Sequence, residues 1–188
     1  MDVTTAIETR RAYRSLAPAP ITDDFVADLA RHAQLAPSCF NHQPWRFVFV
    51  DDAAALERLR GAMSRGNEWT FAAPLVVAVV SRKDLDCVVA DREYYGFDTG
   101  LATAFLILRA TELGWVAHPI AGFDAGRVRE TLGIPAAYDV ITLVNVGRRA
   151  PTLNPALSEK QIHDEGERPP RKAAAEFAFR NAWPAAVP

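Results

Sequence analysis

The sequence predicts a mixed helix-and-strand fold, and three observations carry that prediction. Residues 74–80 form an unbroken apolar, β-branched run after Pro74, the pattern of a strand covered on both faces. Residues 47–50 and 140–146 are two further strand-like runs. Between these runs lie segments of helical spacing, bracketed by capping residues and by glycine or proline stops.

In chain order, Thr5-x-x-Glu8 has the form of a capping box and predicts a first helix carrying Arg10, Arg11 and Arg14. The turn Ala17-Pro18-Ala19-Pro20 breaks it. Thr22 then caps a second helix, whose apolar face is Phe25, Val26, Leu29 and Ala33 and which stops before Pro37. Residues 53–63 read as a helix with Leu56 and Leu59 inward. Residues 81–97 are polar and then aromatic, with Tyr94, Tyr95 and Phe97 close together. Residues 100–113 are apolar nearly all round, as in a helix buried in the core or against another subunit, and Gly114 stands at its C-cap. A short strand over 115–120 and a helix over 124–132, closed by Gly133 and Pro135, precede the strand over 140–146. Beyond Ala150 the composition changes. Pro151, Pro155, Pro169 and Pro170 predict an extended arm, and residues 172–183 have helical spacing. Phe177, Phe179 and Trp183 at its end need a packing surface, for which a partner subunit is the candidate. The expected organisation is one domain, with a core over 1–150 and an arm over 151–188.

At 188 residues the chain is long enough to bury a sizeable core. A net charge of -2 gives no general attraction to nucleic acid or to an anionic membrane. The longest apolar run, near residues 72–80, is strand-sized, and the first residues lack the basic and then apolar regions of a signal peptide, so a cytoplasmic protein is expected. Cys39 and Cys87 make no disulfide framework and have no zinc-like spacing, so no metal is expected; Cys39 reads as a small buried side chain.

The stretch from Ala36 to Trp45 sets Ser38, Asn41 and Gln43 between two prolines, offering donors and acceptors that suit a planar heteroaromatic ligand. An ordinary helix-to-strand turn is the other reading of it. Arg10, Arg11 and Arg14 near the start, with Arg168, Arg171 and Lys172 near the finish, make either an anion site or a solvated face and a basic tail. Neither a phosphate-binding G-x-x-x-x-G-K-[ST] loop nor a G-x-G-x-x-G turn follows any strand, and there is no G-x-S-x-G elbow. Without an acid–base pair, an enzyme here needs the reactivity of a cofactor.

Taken together, Arg10-Arg11-Ala12-Tyr13-Arg14, the 36–45 stretch, Gly66-Asn67-Glu68-Trp69, Asp98-Thr99-Gly100, Glu112-Leu113-Gly114, His118-Pro119-Ile120-Ala121-Gly122-Phe123, Leu132-Gly133-Ile134-Pro135, Gly147-Arg148 and Arg171-Lys172 resemble the nitroreductase superfamily of FMN-dependent reductases. The resemblance runs in order over almost the whole chain. It implies an α+β fold: a three-layer α/β/α sandwich with a mostly antiparallel central sheet and a C-terminal arm reaching to the partner of a homodimer. It further implies FMN at the subunit interface and NAD(P)H as reductant. On this resemblance Arg10, Arg11, Ala12 and Arg14 meet the FMN phosphate, ribityl chain and pyrimidine edge, with Arg171 and Arg148 at the phosphate. Pro37, Ser38, Cys39, Asn41 and Gln43 come from the other subunit, Asn67 reaches the pyrimidine edge, and Pro119, Ile120, Ala121 and Gly122 lie behind the ring system. Phe40, Tyr94 and Tyr95 are assigned to the substrate pocket, with core packing as the alternative for the aromatic cluster.

Two departures stand out. Ala12 replaces a small hydroxyl residue, and Ala121 an acidic one found in some branches. The implied activity is reduction of nitroaromatic, quinone or related electron-poor small molecules by ping-pong hydride transfer. The alternatives are a specialised reductive dehalogenase or dehydrogenase of the same superfamily, and a flavin-binding protein with little turnover.

Overall fold

A computed structural model describes residues 1–184. Its elements in chain order are α1 (Val3–Thr9), β1 (Leu16–Ala17), α2 (Asp23–Ala33), β2 (Arg46–Val50), α3 (Ala53–Arg60), β3 (Leu75–Ser81), β4 (Val88–Val89), β5 (Arg92–Glu93), α4 (Tyr95–Glu112), β6 (Val116–Ile120), α5 (Ala125–Leu132), β7 (Asp139–Arg149) and α6 (Glu159–Gly166). The main sheet runs β1-β7-β3-β2, with β6 also on β7, and every pairing in it is antiparallel.

β3 explains its own sequence. It lies between β7 and β2, and all seven of its residues are buried. Leu75, Val77 and Val79 pack with Leu29 and Ala33 of α2 and with Leu106, Ile107 and Ala110 of α4. Val76, Ala78 and Val80 share the opposite cluster with Leu59 of α3 and Val128 of α5. Successive side chains point to opposite faces, so a strand sandwiched between two helical layers cannot spare an apolar position. Each fully buried Val or Leu contributes roughly 1.5–3 kcal/mol of transfer free energy. The result is the three-layer α/β/α sandwich. No helix among the described residues is long and apolar enough to cross a membrane.

Local signals set most helix ends. Thr22 accepts from the Phe25 amide at the start of α2, and Asp52 and Asp124 do the same for α3 and α5. Gly133 closes α5 at φ +65°, a left-handed conformation that glycine adopts without a Cβ penalty.

The structure departs from the sequence expectation at β1, at the β4–β5 hairpin within 81–97, at the ends of α3 and β7, and most of all in three places. α1 is capped by Asp2, whose carboxylate accepts from the amide and hydroxyl of Thr5, so the Thr5 side chain is not itself a cap. The helix ends at Thr9, leaving Arg10, Arg11 and Arg14 on the irregular connection that leads into β1. α4 starts at Tyr95, earlier than Gly100. Past Ala150, the helix is α6, where Ser158 and Gln161 form a reciprocal capping box. Residues 172–183 hold only the 3-10 turn Ala174–Glu176, with Phe177 and Trp183 exposed; residues 185–188 of the expected arm lie outside the described residues. An isolated segment of that length gains too little from backbone bonds to stay helical without a surface to pack on.

Candidate functional site

The two ends of the chain meet in a basic cavity of about 120 Å³, lined by Arg10, Arg11, Ala12, Arg14, Asp164, Arg168, Pro169 and Arg171. Backbone-directed hydrogen bonds build it. Arg168 donates to the carbonyls of Glu8 (2.6 Å) and Arg10 (2.8 Å), and Arg11 donates to that of Asp164 (2.9 Å). The buried Glu165 carboxylate receives the amides of Arg14 and Ser15, the latter at 3.2 Å. Glu165 is thus turned away from the arginines and towards backbone, which leaves Asp164 as the acidic residue among five lining arginines. The imbalance is felt at Arg10: burial first, then the charges of Arg168, Arg171 and Arg11, hold its guanidinium below the usual arginine range. Ala12 is exposed and offers no hydroxyl to the cavity.

β6 supplies the support behind this segment. His118 is buried, and its Nδ1 lies 3.0 Å from the Tyr13 carbonyl oxygen. A carbonyl only accepts, so Nδ1 carries the proton. Burial, with Arg14 and Arg10 nearby, pushes the His118 pKa down to about 4, and the ring is neutral near pH 7. Trp69 lies against it, with ring centroids 4.6 Å apart.

Further along, Pro119 and Ala121 are exposed and Ile120 is buried. Asn67 donates to the Gly122 carbonyl (2.8 Å) and accepts from the Trp69 indole (3.3 Å), so its amide is engaged within its own chain. A Cβ on Gly122 would collide with that amide.

The 37–43 loop stands elsewhere. Phe40, Asn41 and Gln43 have positive φ (46°, 59° and 51°), and Phe40 is 85% exposed. Ser38 Oγ accepts from the Gln43 amide at 3.0 Å, and Asp98 Oδ2 of α4 accepts from the Cys39 amide at 2.6 Å. Pro37 and Asn41 are exposed. Cys39 is half-buried and disulfide-bonded to Cys87 across a Cα–Cα distance of 6.1 Å, which corrects the reading of it as a small buried side chain. The two lie 48 residues apart in sequence, a separation that no local motif marks. Tyr95 donates to Asp139 (3.2 Å), and Tyr94 meets Phe97 edge-on.

Arg148 caps the far end of α4, donating to the carbonyls of Leu113 (3.0 Å) and Gly114 (2.9 Å) above the Trp115 ring. Asp98 and Arg148 thus sit at opposite ends of an 18-residue helix, about 27 Å long. Within one chain the structure groups Arg10, Arg11, Ala12, Arg14 and Arg171, and holds the 37–43 loop and Arg148 apart from each other. Sequence reasoning missed Glu165 and His118 as organisers; a lone buried acid or histidine has no spacing signature.

The profile described as "Nitroreductase family" matches residues 7–68 and 62–148. A relative from Ralstonia nicotianae, provisionally named an NADH dehydrogenase/NAD(P)H nitroreductase, is 31% identical over 147 residues, spanning 68% of this chain and 75% of its own length. A crystal structure described as an oxidoreductase containing FMN superimposes with a TM-score of 0.83 at 27% identity, covering 98% of this chain and 93% of its own. A protein from Exiguobacterium sibiricum, provisionally described as a nitroreductase and solved in complex with FMN, shares the fold with a TM-score of 0.71 at 21% identity, covering 86% of this chain and 96% of its own. With an antiparallel sandwich, a match over most of its length and these relatives, the chain belongs to the nitroreductase family of oxidoreductases.

Proposed function

We propose that the protein is an FMN-dependent oxidoreductase that takes electrons from NAD(P)H and reduces planar, electron-poor small molecules such as nitroaromatics and quinones. The observation that carries this reading is the cavity of five arginines, in which burial and then like-charged neighbours disfavour the charged form of Arg10. Such a site fits a phosphate monoester dianion, whose oxygens accept bidentate guanidinium bonds and offset the mutual repulsion. The charge and donor set therefore fit the phosphate end of FMN.

In this reading Arg10, Arg11, Arg14 and Arg171 hold the phosphate end, with Ala12 beside them. His118 stays neutral and fixes the Tyr13 carbonyl, which keeps the arginine-bearing segment in place. Pro119, Ile120, Ala121 and Gly122 line the strand-loop behind the ring system. Pro37, Ser38, Cys39, Asn41 and Gln43 close the site from a second copy of the chain, in a homodimer; Phe40, Tyr94 and Tyr95 wall the substrate side. FMN, when bound, supplies the hydride and electron chemistry that these side chains lack. The relatives' printed names, which join NAD(P)H and FMN to this family, support the assignment. The charge balance and the lack of an apolar spanning helix among the described residues support a cytoplasmic enzyme without nucleic-acid partners.

Purified protein should be yellow, bind one FMN per chain, and oxidise NAD(P)H when given a quinone or nitro compound. Colourless protein that takes up no FMN sinks the proposal. Tight FMN binding with NAD(P)H oxidation no faster than free flavin would instead mark a flavin-binding protein.

A further inference from the structure

Away from the arginine cavity, two loops bring a second set of reactive side chains together. Cys39 and Cys87 are bonded to each other, and their sulfurs lie within 4.8 Å of an Asp86 carboxylate oxygen. His42 Nδ1 is 3.7 Å from Cys87 Sγ and 3.6 Å from Asp86 Oδ1. The Asp86 side chain is fully buried; its Oδ1 accepts the Cys87 amide at 2.8 Å, while its Oδ2 has no hydrogen-bond partner. Asp98 of α4, a second buried acid, accepts the Cys39 amide and faces the Asp86 carboxylate, so two buried acids crowd one another beside the sulfurs, a costly arrangement without a cation. His42 is the half-exposed member and leaves an entry from solvent.

We propose that, once the Cys39–Cys87 bond is opened, Cys39, His42, Asp86 and Cys87 bind one Zn²⁺ ion. Two thiolates, an imidazole and a carboxylate are a tetrahedral donor set of the kind zinc prefers, and two sulfurs exclude calcium or magnesium. Donor atoms of Cys39, Asp86 and Cys87 already lie within 4.8 Å of one another, and His42 Nδ1 borders two of the three; opening the disulfide must part the sulfurs and draw His42 in for all four to stand about 2.0–2.3 Å from one ion. The cation would also offset the crowding of the Asp86 and Asp98 carboxylates. The chemistry balances. A thiol reductant supplies two electrons and two protons to the disulfide and leaves as its own disulfide; zinc binding then releases the two thiol protons to solvent. The site thus has two forms, a disulfide under oxidising conditions and a metal centre under reducing ones. None of these four side chains lines the arginine cavity, and although Cys39 belongs to the loop placed against the flavin above, bound zinc and thiol counts are read without reference to flavin binding.

The test uses purified protein as isolated, with whatever cofactor it carries. Treat it with a phosphine reductant, count free thiols in the folded protein, dialyse against Zn²⁺ and measure bound metal by elemental analysis, which flavin does not disturb. The expected result is two free thiols and one Zn²⁺ per chain after reduction, and none after reoxidation. X-ray absorption at the zinc edge should show two sulfur neighbours at about 2.3 Å. Cys87→Ser and the solvent-facing His42→Gln should each weaken binding beyond the roughly 10–100-fold that loss of an outer-shell partner costs. His42 is half exposed, so His42→Gln disturbs packing least, and an unfolding midpoint of the disulfide form equal to the parent's separates ligation from folding. A bond that resists reduction in the folded chain, reduced protein without stoichiometric zinc, or zinc uptake unchanged by both substitutions would overturn the proposal.

Discussion

His118 Nδ1 stands 3.0 Å from the carbonyl oxygen of Tyr13, joining β6 to the segment that carries Arg10, Arg11 and Arg14. The bond is made by a neutral ring whose pKa is pushed down to about 4. In the unfolded chain the ring titrates near its ordinary value of about 6.5. As pH falls from about 6.5 towards 4, the unfolded state takes up the proton first, so His118's contribution to stability is lost across that window. The full difference is roughly 3 kcal/mol. Urea midpoints measured through this range should fall on acidification. In His118→Gln the fall between pH 6.5 and 4 should flatten, and an unchanged profile would count against the buried, neutral assignment.

The arginine cavity predicts a stability that depends on an added anion. Removing one charge by Arg10→Gln relieves repulsion from Arg168, Arg171 and Arg11, so the variant should fold at least as stably as the parent in phosphate-free buffer. It should also lose affinity for FMN and for inorganic phosphate. A hydrogen bond to a charged group is worth about 1.5–3 kcal/mol, or roughly 10- to 150-fold in Kd. Thermal melts with and without phosphate measure both effects. Equal protection of parent and variant would remove Arg10 from the anion site.

Glu165 holds the other wall of that cavity by taking the amides of Arg14 and Ser15. Glu165→Ala leaves two amides without their acceptor in a part-buried setting, at a cost of about 1–3 kcal/mol. The lesion should also weaken FMN, because the partner wall carrying Arg168 and Arg171 loses its anchor. Denaturant unfolding checks the first effect and flavin titration the second.

Why some of this was legible in the sequence, and some not, follows from the range of the forces involved. β3 could be read because burial on both faces is written residue by residue in Leu75–Ser81, and α2 because Thr22 caps it locally. The helix expected over 172–183 was not found, since spacing alone does not say whether a surface will receive it, while the Ser158–Gln161 box that starts α6 went unread. The arginines at the two ends became one site only through resemblance to a family; their composition fits a solvated face equally well. The Cys39–Cys87 bond, the Glu165 brace and the tie from His118 to Tyr13 span 48, about 150 and 105 residues, and no local pattern encodes them.

Gly122 and Asn67 offer the sharpest test of the strand-loop behind the proposed ring site. Asn67 fills the space where a side chain at 122 would go and donates to the Gly122 carbonyl at 2.8 Å. Gly122→Ala must therefore push the amide away, which breaks that bond and its partner from the Trp69 indole at 3.3 Å. Overpacking of this kind costs about 1–3 kcal/mol. The backbone at Gly122 is not in the left-handed region, so the penalty comes from collision and not from φ. In an Asn67→Ala background the same substitution loses that collision, keeping ordinary contact with Ser64 Cβ at 3.6 Å, and should cost much less. A double-mutant cycle with coupling of at least about 0.5 kcal/mol is the expected outcome, while additive effects would show that Asn67 is not what requires glycine at this position.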